Sequence, residues 1–150
     1  MTRIEEVSID KILPLRHRVL RPGRPVLTAH FDGDDDPGTI HLAVYWHDDL
    51  ASCLTLMKRP LPDSDNNLSD QISYQLRGMA TATEHRGMGC GTELLEKTEE
   101  FLIEKNAVLV WCNARIKAVP FYQKSGFEVI SEEFEIEGIG PHLRLKKEIL

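Results

Sequence analysis

The stretch EHRGMGCGTELL, residues 84–95, sets Gly87, Gly89 and Gly91 at alternate positions behind Arg86, just ahead of a helical pattern. Glycines at that density lose backbone entropy on ordering, so the spacing predicts a bare backbone held close to something. A glycine loop running into a helix start leaves N–H groups unpaired and adds the positive end of the helix dipole. The something is therefore an anion. Other polar tips stand further along: Asn113 ending an apolar run, Tyr122 inside PFYQKSGF, Glu133 in SEEFEIE, and His142. A buried amide such as Asn113 needs a partner, either a ligand or a local turn into the next helix. Cys90 sits at a helix start, where a thiol pKa can fall, but a small apolar filler is the plainer role for it and for Cys112. Cys53, Cys90 and Cys112 form no Cys-x-x-Cys pair, and no metal is expected.

Three familiar glycine loops fit poorly. A P-loop needs Lys after the glycines, and here Gly91 is followed by Thr92 and Glu93. A dinucleotide fingerprint needs glycine where Thr92 stands and an acid ending the next strand, which ends instead in Cys112 and Asn113. A methyltransferase loop shares the acid and alternating glycines, but TATEHR is no buried strand ending in acid. The chain after the loop is also short for a doubly wound domain.

The elements that must position these residues follow from periodicity. DKILPLRHRVLR (10–21) predicts a helix with Asp10 as N-cap and Pro14 in the first turn. TIHLAVYWH (39–47) and LASCLTLMK (50–58) predict an antiparallel hairpin across Asp48 and Asp49. RPLPDSDNNLSD (59–70) predicts an exposed, mobile loop, and QISYQLRGMAT (71–81) a strand leading into the glycines. Leu94, Leu95, Thr98, Phe101 and Leu102 recur at helical spacing, with Asn106 as a C-terminal cap. AVLVWCN (107–113) predicts a buried strand parallel to 71–81. A helix closed by Gly126 and two strands, EVISEEFEI and HLRLKKEI, complete a mixed α/β (α+β) sheet.

The loop Arg86-x-x-Gly89-x-Gly91 resembles the Gln/Arg-x-x-Gly-x-Gly/Ala loop of the GNAT superfamily of N-acetyltransferases. The likeness runs through LRGMATATEHRGMGCGTELLEKTEEFLIEKNA and WCNARIKAVPFYQKSGFEV. Its outer stretches, LRHRVLRPG and FEIEGIGPH, are similar to the ElaA/YjcF-like bacterial branch. The resemblance implies one domain over residues 1–150 with a central sheet of six to seven strands, a splayed parallel pair and flanking helices. It implies acetyl-CoA as cosubstrate, its pyrophosphate on the amides of Arg86, Gly87, Met88, Gly89, Cys90 and Gly91, and its pantetheine arm on the backbone of Met79, Ala80 and Thr81. Acetyl transfer needs a positioned neutral amine, a stabilised oxyanion and a proton for the leaving thiolate. The resemblance makes Tyr122 the proton donor to the CoA sulfur; as a plain residue Tyr122 is a core aromatic with a polar tip. Asn113 would bind CoA or the acceptor. Glu133 and His142 would border the acceptor cleft and relay a proton, although an acidic strand face and an edge histidine need no such role. A CoA-binding module without catalysis stays open beside the enzyme.

The 150 residues are 41% apolar and 28% charged with net charge −6, which excludes a disordered chain and argues against a nucleic-acid partner. No apolar run is long enough to cross a membrane and MTRIEEVSID is no signal peptide, so the expected setting is cytoplasmic. The expected partner is a small-molecule or protein amine, with a homodimer left open. The acidic balance leans toward a cationic acceptor, and Arg16, Arg18 and Arg21 read as a solvated helix face or a site for an anionic ligand part.

Overall fold

The computed structural model describes residues 2–62 and 71–149. Most of RPLPDSDNNLSD, residues 63–70, lies outside the described residues, and so does the expectation of a mobile loop there. The element order is β1 (Thr2–Val7), α1 (Ile9–Leu20), β2 (Ile40–Trp46), β3 (Asp49–Lys58), β4 (Ile72–Thr81), α2 (Cys90–Glu104), β5 (Ala107–Arg115), α3 (Val119–Lys124), β6 (Glu128–Val129), β7 (Phe134–Ile136) and β8 (Gly140–Glu148). The strands form one mixed sheet in the order β1-β2-β3-β4-β5-β8-β6, with β7 also on β8. That is eight strands against the six or seven expected. β1 is an additional edge strand, and EVISEEFEI divides into β6 and β7. The division has a local cause: the Ile130 amide bonds to the Arg144 carbonyl (2.8 Å) and Ser131 Oγ accepts from the Arg144 amide (2.8 Å), so the chain leaves the ladder between them.

The chain divides into two compact units, one of residues 1–57 and 76–98, the other of 58–75 and 99–150. In the first, β2 and β3 form the expected hairpin, turning at His47 and Asp48, with His47 at φ 55°. β1 pairs antiparallel with β2 from Thr2↔Trp46 to Val7↔His41. Helix α1 lays Ile12 and Leu15, both almost fully buried, against Ala43, Cys53, Ala80 and Ala82. Ser8, not Asp10, occupies the N-cap, and Pro14 lies beyond the first turn.

Arg16 corrects the expectation of a solvated basic face. Its side chain is fully buried, and its Nη1 donates to Asp34 Oδ2 (2.7 Å) and the Ala29 carbonyl (2.9 Å). Nη2 donates to Thr55 Oγ1 (2.6 Å), which bonds His41 Nδ1 (2.7 Å), while His41 Nε2 donates to the Asp34 carbonyl (3.0 Å). The guanidinium also stacks 4.1 Å from the centre of Phe31. Burial pushes the Asp34 carboxyl up in pKa, but the hydrogen bonds from Arg16 and the Phe31 amide, with the Arg16 charge, outweigh it and hold it below the usual value. Gly78, at φ +64°, packs on this network: a Cβ there would stand 2.7 Å from Arg16 Nε.

In the second unit β4 and β5 run parallel, as expected, from Ile72↔Ala107 to Gln75↔Trp111, where their ladder ends. β5 continues two residues past Asn113 to Arg115 and pairs antiparallel with β8 along its length. Gly126, at φ +94°, closes α3: the Phe127 amide reaches back to the Tyr122 carbonyl (3.1 Å).

Candidate active site

In the first unit the loop from Arg86 to Gly89 ends on α2. The Gly89 carbonyl accepts the first helical bond from the Glu93 amide (2.9 Å). Gly87 and Gly89 both hold φ +79°, which explains two of the glycines, and a Cβ on either would meet nothing within 4 Å. No backbone acceptor takes the amides of Gly87, Met88 or Gly89 among the described residues. The first-turn amides of α2 add donors that no helix can satisfy internally. Gly91 is buried inside α2 without a positive φ, so it serves packing rather than loop conformation. Arg86 and Met88 are exposed; Cys90 is buried, and burial followed by the Glu93 charge pushes its thiol up. The helix start therefore does not activate Cys90. Of the β4 trio, Ala80 is buried and its carbonyl accepts from Ser52 Oγ (3.0 Å), which also meets Thr81 Oγ1 (3.0 Å); Met79 is half-buried.

Beside the loop, Arg18 pairs with Glu84 (3.5 Å) and rims a cavity of about 530 Å³ with Lys11, Asp49 and His85. The ring of His85 is buried and its Nδ1 has no partner among the described residues. His85 was not marked by the spacing of polar residues, and Arg16 was marked only as one of three arginines on a helix face, since a buried arginine reads from sequence as a surface one.

In the second unit Tyr122 lies on α3, buried between Phe121 and Phe127, each ring centre 5.3 Å away. Burial first, and Cys112 next to it, raise the phenol pKa well above its ordinary value. The ring is buried, and the hydroxyl makes no hydrogen bond among the described residues without being one of the enclosed polar atoms left unpartnered, so its tip is not sealed off. Burial likewise pushes the Cys112 thiol up to about 12.

Asn113 is a strand residue and not a turn: its Oδ1 accepts from Arg144 Nε (2.9 Å) across the ladder. His142 pairs with Arg115 on the same face of the β5–β8 ladder, is buried, and donates Nδ1–H to the Gly140 carbonyl (2.8 Å). In the neutral imidazole that tautomer makes Nε2 the acceptor. Glu133 is exposed just before β7. Asn113 and His142 thus share one sheet face, while Tyr122 stands with Cys112, which alternates to the other. Arg144, next to Asn113, was not singled out from sequence, although its place two residues after His142 puts it on the same face. Among the described residues no group of three or more His, Cys, Asp or Glu could hold a metal, and no helix is long and apolar enough to cross a membrane.

Comparison with known proteins adds to this geometry. The family model described as an acetyltransferase (GNAT) domain matches residues 40–149. The N-acetyltransferase YitI of Bacillus subtilis (strain 168) is 33% identical over 147 residues, covering 98% of this chain and 96% of YitI. Among solved structures, Escherichia coli ElaA superposes with a TM-score of 0.78 at 22% identity, over 99% of this chain and 100% of ElaA. An aminoglycoside 6'-N-acetyltransferase complexed with coenzyme A does so with a TM-score of 0.72 at 13% identity, over 99% and 97%. At those identities the likeness is one of fold.

Proposed function

This chain belongs to the GNAT family of acetyltransferases, and on that premise we propose that it moves an acetyl group from acetyl-CoA to a primary amine by direct transfer in a ternary complex. The observation that carries this is the loop at 86–91. Two glycines at positive φ open onto empty space, with unpartnered amides at the start of a 15-residue helix. Such a loop receives a pyrophosphate without needing a lysine.

Acetyl-CoA would supply the activated acyl group as a thioester. The chain's residues do the rest. The amides from Arg86 to Gly91 bind the phosphates, and the backbone of Met79, Ala80 and Thr81 holds the pantetheine arm. Tyr122 gives up its phenolic proton to the departing sulfur. The raised pKa supports this role in one respect: the hydroxyl is protonated throughout the neutral range. His142, with Nε2 free to accept, takes the amine proton, directly or through water, and exposed Glu133 is the second candidate for that task. Asn113 orients Arg144 through Oδ1, and its Nδ2 donors are left to the cosubstrate or the acceptor.

Residues 1–150 serve as one functional domain in this reading. Free thiols at Cys53, Cys90 and Cys112 support a reducing, cytoplasmic setting. The test is calorimetry with acetyl-CoA and with S-adenosylmethionine, followed by free-thiol release across a panel of amines. Heat with the methyl donor alone removes the proposal. Coenzyme A binding without thiol release from any amine leaves a non-catalytic CoA-binding module.

A further inference from the structure

The β5–β8 ladder sets Trp111, Asn113 and Arg115 opposite Lys146, Arg144 and His142, and β7 sets Phe134 opposite His142. Directly paired residues share a face, so these side chains form one surface of the second unit. Arg144 is at its centre. Its guanidinium carbon lies 5.3 Å from the ring centre of Trp111 and 5.6 Å from that of Phe134, and its Nε donates to Asn113 Oδ1 (2.9 Å). Two aromatic plates and an amide fix the plane of the fork.

All these partners are neutral. Three other sheltered cations have acids of their own: Arg16 has Asp34, Lys147 has Glu99 (2.8 Å), and Lys146 has Glu148 (3.5 Å) and Glu128 (3.9 Å). Arg144 has none among the described residues, and its two terminal nitrogens make no bond there. A half-buried guanidinium loses hydration without recovering it from a carboxylate. A planar fork held in place with both terminal nitrogens open matches a carboxylate or phosphate, two N–H bonds to two oxygens.

We infer that the acceptor is an anionic amine, a primary amine carrying a carboxylate or phosphate group, and that Arg144 binds that anion. This rests on the transferase reading and adds the acceptor's chemical class. It also departs from the inference from net charge: although Glu128 and Glu148 lie on this face, they pair with Lys146, and no acid pairs with Arg144 among the described residues. Asn113 is a positioning residue, holding the fork through Nε.

The experiment compares amines that differ only in the anion. Amino acids are set against their C-terminal amides, and O-phosphoethanolamine against ethanolamine, each with acetyl-CoA and thiol release as readout. The anionic member of the carboxylate or the phosphate pairs should be preferred in kcat/KM by roughly 10–100-fold, the range for hydrogen bonds to a charged group; the pair with the larger ratio names the anion. Arg144→Gln should erase the preference through KM with kcat nearly kept, Arg144→Lys should restore part of it, and both should melt with the parent. Equal rates for charged and neutral members, or a preference that survives Arg144→Gln, overturns the inference. If no amine turns over, the same pairs are titrated by calorimetry onto the protein with coenzyme A present. Anion-selective binding lost in Arg144→Gln then keeps the site and removes the transferase reading; no anion-selective heat removes the site as well.

Discussion

The ring of Tyr122 is packed between Phe121 and Phe127 while its hydroxyl has no hydrogen-bond partner among the described residues, which makes its role measurable. Tyr122→Phe keeps the ring against Phe121 and Phe127 and removes only the hydroxyl, the proton donor. We expect kcat to fall by roughly 10²–10⁴, the range for one acid–base group, with acetyl-CoA affinity and melting temperature unchanged. The defect should shrink with acyl donors whose thiol leaves more readily; a Phe variant at full rate makes Tyr122 packing alone. His142→Ala should change acceptor KM or rate while CoA affinity holds, and an equal loss of CoA affinity would assign His142 elsewhere. Local conformation at this scale was legible: the glycine spacing anticipated an open loop running into a helix start, and PFYQKSGF a short helix carrying Tyr122 and closed by Gly126. The partnership of Asn113 with Arg144 was not legible, because 31 residues separate the two and only the strand register joins them.

Among elements, the loop and helix that begin at Arg86 depend on two positive φ angles. Gly89→Val should abolish CoA binding in calorimetry, since a β-branched residue resists φ +79° and its side chain fills the open space above the loop. Retained CoA heat would show that the phosphates lie elsewhere. Helix α1 depends on Arg16. Arg16→Met strands a buried Asp34 and should destabilise by about 3–5 kcal/mol, the usual result of breaking a buried pair. Adding Asp34→Asn should recover part of that, and denaturant melts of the single and double variants would read the coupling. Asn106 at φ 59° and Gly126 at φ 94° were both foreseen, because helix ends announce themselves by residue type. β1 was missed for the opposite reason. TRIEEV is an edge strand with exposed Arg3, Glu5 and Glu6, and its alternation is too weak to see without β2 beside it. Arg16 was misjudged because helical periodicity counts an arginine as polar, and only the fold brings Asp34 and Thr55 to it.

For the molecule as a whole, buried ionisable groups set the limits in pH. Asp34 has a depressed folded pKa, so its contribution is fully present above the unfolded value of about 3.9 and is lost as pH falls through the lower folded one. Cys53 and Cys112 are pushed to about 12 by burial, so their contribution is present below the unfolded thiol value of 9.0 and is lost as pH rises toward 12. Melting temperature against pH should therefore slope down on both sides of neutrality. Cys112→Ala should flatten the alkaline limb; an unchanged limb would assign the slope to other groups. The same burial has a practical side. Cys53, Cys90 and Cys112 are all enclosed with raised pKa values, so none offers an accessible thiolate to an alkylating dye near neutral pH. Met88, by contrast, is 45% exposed at the tip of the glycine loop. Met88→Cys would give the native sequence a single addressable thiol without removing any of its own. A fluorophore attached there would report, in real time, the arrival and departure of whatever the loop holds.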